Sequence, residues 1–115
     1  MTPPPVRPRF TLIPRPEATA DVIALAVHGP DVVAAAVAIA DDLAHGRVVG
    51  KELGVRNVSG DLTGLARVKF DVPGQRPQRF RLVYRQLEEA TREVLAIGPR
   101  EQHAIYRLAA SRLLP

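Results

Sequence analysis

The hydrophobic period of the chain changes near residue 65, and this change restricts the fold more than any other feature of the sequence. Before it, apolar residues recur at helical spacing along one stripe: Val32, Ala36, Ile39, Ala40 and Leu43. After it, residues 66–72 alternate between apolar and polar side chains, which is typical of a strand with one buried face. Helices followed by strands predict an α+β fold.

Turn residues divide the two halves further. Gly29-Pro30 separates two helical segments closely enough to predict a hairpin of two helices over residues 16–45. The predicted remainder is, in order, a short edge strand at 9–13 before the helices, a glycine-rich loop at 46–64, strands at 66–72, 79–85 and 92–97, and a C-terminal helix from residue 100. The N-terminal hairpin is expected to pack on one face of a small antiparallel sheet. Residues 1–9 hold four of the eleven prolines and are interpreted as a flexible tail, which leaves 10–115 as a single domain.

Alternation also assigns the two faces of this sheet. The packed face is expected to carry Val68, Phe70, Phe80, Leu82 and Tyr84. The other face is expected to carry Arg67, Lys69, Arg81 and Arg85, with Val83 between them.

Several classes of protein are excluded or disfavoured by composition. The 115 residues include no cysteine, which excludes disulfides, zinc thiolate sites and cysteine nucleophiles. The chain has no run of about 18 apolar residues, so a membrane-spanning helix is not expected. The N-terminus does not resemble a signal peptide, and a cytoplasmic location is expected. No histidines and carboxylates have metal-ligand spacing, so neither a metal nor another cofactor is predicted.

The net charge of +4 is concentrated in the second half of the chain. Residues 67–85 contain six basic residues and one acid, Asp71. A basic stripe of this kind is the electrostatic footprint of a protein that binds phosphate or an acidic partner, and it is also found on surfaces that only aid solubility.

Three segments in order, GLARVKFDV, RFRLVYR and VLAIGPREQHAIYRLAASRL, resemble the RelE/ParE superfamily of bacterial toxins. The resemblance covers residues 58–114 and implies a RelE-like fold. It also implies one of two activities: metal-independent cleavage of mRNA, usually on the ribosome, or inhibition of DNA gyrase without nuclease activity, as in ParE-like members. A basic domain that has lost both activities is a third alternative.

The resemblance implies specific roles for residues of the ribonuclease branch, which is the favoured interpretation. Lys69, Arg81, Arg100 and Tyr106 match active-site positions: a lysine on a strand, a phosphate ligand, a cation that stabilises the transition state, and a tyrosine that orients a nucleotide. Arg67 matches a lysine position. The residues expected to contact RNA around them are Arg67, Arg79, Arg85 and His103, with His103 a candidate auxiliary acid.

Arg67 departs from the family pattern. An arginine stays protonated and is unsuited to act as a base. The surrounding arginines are expected to lower the pKa of Lys69, which suggests Lys69 as the base. The resemblance further implies a cognate antitoxin, mRNA and the ribosome as partners, and operator DNA bound only through the antitoxin.

Overall fold

In the computed structural model, which describes residues 7–56, 60–101 and 104–114, five strands and three α-helices form a mixed α+β fold. The strands are β1 (Thr11–Pro14), β2 (Lys51–Arg56), β3 (Gly60–Phe70), β4 (Phe80–Glu88) and β5 (Thr91–Pro99). The helices are α1 (Pro16–Ala24), α2 (Pro30–Ala44) and α3 (Ala104–Ser111), with a 3-10 helix at Leu25–His28.

The helices begin where the sequence offers helix-starting residues. Pro16 and Pro30 occupy the first turns of α1 and α2, where the missing N–H costs no hydrogen bond. Gly29 joins the 3-10 helix to α2 with φ 118°, a left-handed conformation that glycine adopts without steric cost. The chain enters its helices after β1, which overlaps the short edge strand predicted at 9–13.

The sheet has the order β1-β5-β4-β3-β2. The pairs β2·β3, β3·β4 and β4·β5 are antiparallel, whereas β1 runs parallel to β5 with Thr11 opposite Thr91. The prediction of a purely antiparallel sheet is therefore wrong at one edge. The reason is that α1 and α2 lie between β1 and the meander, so β1 is not connected to β5 by a hairpin.

The predicted loop at 46–64 is also wrong, because β2 and the start of β3 lie within it. The register between β2 and β3 shifts at Glu52–Gly54, and Gly54 has φ 63° there. Glycine serves at this position as a bulge residue inside a strand pair. A glycine-rich segment is typical of a loop, but here Gly54 permits strand pairing to continue.

Helices cover both faces of the sheet. On one face α1 and α2 bury a core that includes Val68, Phe70, Phe80, Leu82 and Tyr84, as alternation predicted. On the other face α3 buries a second core with Val83, Leu95 and Ile105. Both faces of β4 are consequently buried over residues 80–84.

Tyr84 connects the first core to the segment before β2. Its hydroxyl accepts a hydrogen bond from the Gly50 N–H at 3.1 Å. A Cβ atom placed on Gly50 would lie 2.5 Å from the Tyr84 ring. The absence of a side chain at Gly50 is therefore required for this contact.

After the part of β5 that pairs with β1, side chains rather than a strand form hydrogen bonds with the β5 backbone. Asp21 on α1 accepts hydrogen bonds from the Ile97 N–H at 3.0 Å and from Arg112 at 2.6 Å. Arg112, just after α3, also donates to the Leu95 carbonyl at 2.8 Å. This ion pair ties both helical layers to the same strand.

Candidate nucleic-acid interface

The pairing of β3 with β4 brings the predicted cations together on the face covered by α3. Lys69 lies directly opposite Arg81, and Arg67 lies opposite Val83. Lys69 is exposed and Arg67 is half-buried. Directly opposed residues in an antiparallel pair have neighbouring side chains, so the three cations form one group.

Arg81 is buried, with 4% of its surface exposed. Its Nη1 donates hydrogen bonds to the carbonyl oxygens of Gln78 (3.0 Å) and Phe80 (2.8 Å). Its side chain also hydrogen-bonds to Tyr106 on α3. Burial lowers the pKa of Arg81 and the bond to Tyr106 opposes that shift, but an arginine remains charged in this environment.

Arg81 and Tyr106 are both buried, so neither lies on an open surface to which a phosphate could bind. Tyr106, on α3, is 6% exposed and belongs to the core beneath that helix. Arg81 therefore supports the cationic surface from below and holds Tyr106, with little of its own surface available to a ligand. Alternation could not indicate this, because α3 covers a position that the strand pattern assigns to solvent.

Arg100 lies just beyond β5, at the end of the sheet where β4 begins. Its backbone N–H donates to the Arg79 carbonyl at 3.0 Å, which fixes the chain after Pro99. The side chain is exposed. Within the described residues no carboxylate lies in ion-pair distance of Arg100, so its charge is available to an anion.

Lys51 is a cation of this surface that sequence reasoning missed. It is exposed, and it pairs with Arg67 in the register of β2 and β3. The short run KELGVR is interrupted by a glycine, so its strand character becomes evident only when β3 lies beside it. We refer to Lys51, Arg67, Lys69, Arg81 and Arg100 as the cationic cluster.

The cationic cluster lowers the pKa of Lys69 below its ordinary value of 10.5. The charge of Arg67 is the largest cause, followed by Arg81, partial desolvation, Arg100 and Lys51. Like charges disfavour the protonated form, so more of Lys69 is neutral at a given pH than in an isolated lysine. A lysine of this kind can accept a proton, and the arginines around it can stabilise a developing negative charge.

Two other predicted cations are paired with acids. Arg79 donates to Asp71, with an Nε to Oδ2 distance of 2.8 Å, and Arg85 donates to Glu93 with an Nε to Oε1 distance of 2.7 Å. These pairs reduce the positive potential that either arginine offers to RNA. His103 lies outside the described residues.

The described part of the chain holds no group of three or more His, Cys, Asp or Glu side chains suited to a metal ion. Its helices include none that is long and apolar enough to cross a membrane.

Comparison with known proteins finds a similar solved structure. No protein-family model matches the chain, and no curated protein matches it by sequence. A solved structure of the E. coli toxin RelE, an arginine-to-alanine double mutant in the free state, superposes with a TM-score of 0.61. The match covers 93% of this chain and 99% of that one at 19% sequence identity. The chain therefore has the RelE-like fold that its sequence resemblance implied.

Proposed function

We propose that this protein is the toxin of a toxin–antitoxin system and a metal-independent endoribonuclease that cleaves mRNA. The observation that carries the proposal is the position of Lys69, which lies opposite Arg81 and among four arginine and lysine side chains that lower its pKa. RNA supplies its own nucleophile in the ribose 2′-OH. A site of this class needs a proton acceptor and cations, and the cationic cluster contains both.

The proposed reaction is a transesterification at a single phosphate of the RNA. Neutral Lys69 takes the proton of the 2′-OH, and the 2′ oxygen attacks the adjacent phosphate. A new bond from the 2′ oxygen to phosphorus forms as the bond to the 5′ oxygen breaks, giving a 2′,3′-cyclic phosphate. The departing 5′ oxygen takes a proton from a general acid, for which His103 and solvent water are the candidates.

The exposed cations of the cluster are proposed to contact the phosphate. Arg67 and Arg100 are more accessible than Arg81, so we assign direct charge stabilisation to them. Arg81 contributes positive potential from beneath the surface and fixes Tyr106 through their hydrogen bond. This division revises the expectation that Arg81 itself grips the scissile phosphate.

The fold also suggests the biological setting. We propose that a cognate antitoxin neutralises the protein, that the ribosome presents the mRNA to it in the cytoplasm, and that operator DNA is bound only through the antitoxin. The dense positive charge of the cluster is suited to a ribosomal or messenger RNA surface, where phosphate contacts dominate affinity.

The test is cleavage of a defined mRNA by purified protein, with and without ribosomes, followed by mapping of the new 5′ ends. Lys69→Arg keeps the charge and removes the base, so cleavage should fall by roughly 100-fold or more while RNA binding persists. Arg100→Gln should also reduce cleavage, whereas Arg76→Gln, at an exposed turn position, should not.

A gyrase supercoiling assay on the same preparation distinguishes the alternative. Intact mRNA together with inhibited gyrase would replace the ribonuclease with a ParE-like activity. Equal cleavage by Lys69→Arg and the unaltered protein would remove Lys69 from its role as the base.

A further inference from the structure

A cleft of about 420 Å³ opens where β4 begins and β5 ends, beside the cationic cluster. Its volume falls in the range of sites that bind small organic groups. Arg100 belongs both to the cluster and to the wall of the cleft. The walls include His28, Gln78, Arg79, Pro99, Arg100 and Glu101.

The wall formed by His28 is suited to stacking. His28 ends the 3-10 helix and is exposed. Its ring meets Phe80 edge-on, with 5.2 Å between the ring centroids and 69° between the planes. Because Phe80 holds the ring in this orientation, an exposed aromatic surface is available at the cleft, and nucleobases stack on histidine and on arginine planes.

Glu101 and Gln78 line the same cleft with polar side chains that can form hydrogen bonds with the edge of a flat ligand. Neither side chain forms a hydrogen bond or an ion pair with another residue in the described part of the chain. The backbone carbonyl of Gln78 accepts a bond from Arg81, which fixes the position of this residue. The ion pair with Asp71 fixes Arg79 in the wall of the cleft. The cleft therefore does not need a ligand to form.

We propose that this cleft binds a nucleobase next to the phosphate held by the cationic cluster, and that Glu101 selects bases that carry an amino group. This inference rests on the proposed function. A carboxylate only accepts hydrogen bonds, and adenine, cytosine and guanine each offer it an exocyclic amino donor. Uracil has no exocyclic amino group, and its N3–H donor lies between two carbonyl oxygens that a carboxylate repels.

The test uses dinucleotides whose 2′-OH is methylated, so that binding is measured without cleavage. NMR titration with the four bases at one position gives dissociation constants and reports on the His28 ring. Amino-bearing bases should bind roughly tenfold more tightly than uracil, the lower part of the range for one well-formed base contact. Nucleotide binding should shift the His28 ring resonances.

Two matched variants separate base selection from charge. Glu101→Gln should bring the preference over uracil close to one. Glu89→Gln, an identical change of charge at the exposed turn between β4 and β5, should leave that preference unchanged. His28→Ala should weaken binding of all four bases because it removes the stacking surface.

Contrary results have distinct meanings. If dinucleotides shift the resonances of Lys69 and Arg100 but not of His28, or if Glu101→Gln keeps the preference, the nucleobase site is overturned and the proposed ribonuclease stands. If no dinucleotide binds anywhere, the nucleobase site is overturned, whereas the proposed ribonuclease is decided separately by the cleavage assay with ribosomes.

Discussion

Asp71 closes the turn between β3 and β4, and its removal gives a quantitative test of how the site is supported. The carboxylate accepts hydrogen bonds from the backbone N–H of Val72 (2.7 Å) and of Arg79 (3.0 Å). It also accepts two from the Arg79 guanidinium, at 2.8 and 2.9 Å. The same turn carries the Gln78 carbonyl that binds Arg81, so Asp71 supports the cationic cluster indirectly.

The size of this contribution follows from the pKa of Asp71, which these bonds lower from 3.8 to about 2. The bond from the Arg79 side chain is the largest cause. Since one pKa unit corresponds to about 1.4 kcal/mol, the upper limit is about 2.5 kcal/mol. Arg79 is half-exposed, so screening by solvent reduces the expected value to about 1–2 kcal/mol.

Asp71→Asn should therefore lower the free energy of unfolding by about 1–2 kcal/mol at pH 7, or the Tm by roughly 5–10 °C. The pKa of Asp71 is lower in the folded than in the unfolded protein. Its contribution is therefore complete above about pH 5 and is lost as the pH falls from about 4 towards 2. The difference between the two proteins should shrink over this interval.

The assay is urea unfolding followed by circular dichroism at pH 7, 5 and 3. Asp42→Asn is the matched control, because Asp42 forms a 3.1 Å ion pair with Arg47 on an exposed surface. Such an exposed pair is expected to contribute far less than the hydrogen-bonded carboxylate of Asp71. Equal losses in the two variants, or a loss for Asp71→Asn that is the same at pH 3 as at pH 7, would refute the reasoning.

Three further predictions concern packing, charge and the sheet edge. Gly50→Ala should lower the free energy of unfolding in urea by about 2 kcal/mol or more, because the added Cβ meets the Tyr84 ring. Tyr84→Phe only loses one hydrogen bond and should lower it by about 1 kcal/mol. If Lys69 is the base, the cleavage rate should rise with pH and level off below pH 10.5, and a profile unchanged in Lys69→Arg would contradict this. Asp21→Ala should lower the free energy of unfolding by about 2–4 kcal/mol, since it leaves the half-buried Arg112 without its carboxylate. The same change in an Arg112→Met background should cost less, and equal costs would argue against coupling of the two residues.

The sequence predicted those parts of the fold that depend on local pattern. Phe80, Leu82 and Tyr84 alternate, and the structure confirms that they are buried on one face with α1 and α2. The resemblance to RelE-like proteins depended on three segments in order, and the structural match confirms the fold.

The rest depended on contacts between distant segments. The strand β2 became stable by pairing with β3, and a glycine that usually marks a loop served there as a bulge. The parallel pairing of β1 with β5 joins residues about 80 positions apart in the chain, which no local pattern encodes. The pairing of β2 with β3 brings Lys51 beside Arg67, and the pairing of β1 with β5 forms one edge of the sheet. Neither position could be predicted from the sequence alone.

The candidate site shows the same division. The grouping of Arg67, Lys69 and Arg81 on one face followed from alternation and is present in the structure. The burial of Arg81 did not follow, because it depends on where α3 packs. The functional roles of these residues, and of Arg79, Arg85, Arg100, Tyr106 and His103, remain predictions.

The crowding of the cationic cluster has a consequence for how the protein responds to its solution. Repulsion among Lys51, Arg67, Lys69, Arg81 and Arg100 opposes folding, and the free energy stored there is released when any anion neutralises it. Added salt screens this repulsion, so moderate ionic strength should stabilise the folded state. A polyanion that binds only the folded form should raise the Tm further. The surface proposed to bind RNA thus makes the stability of the protein itself a sensor of bound phosphate.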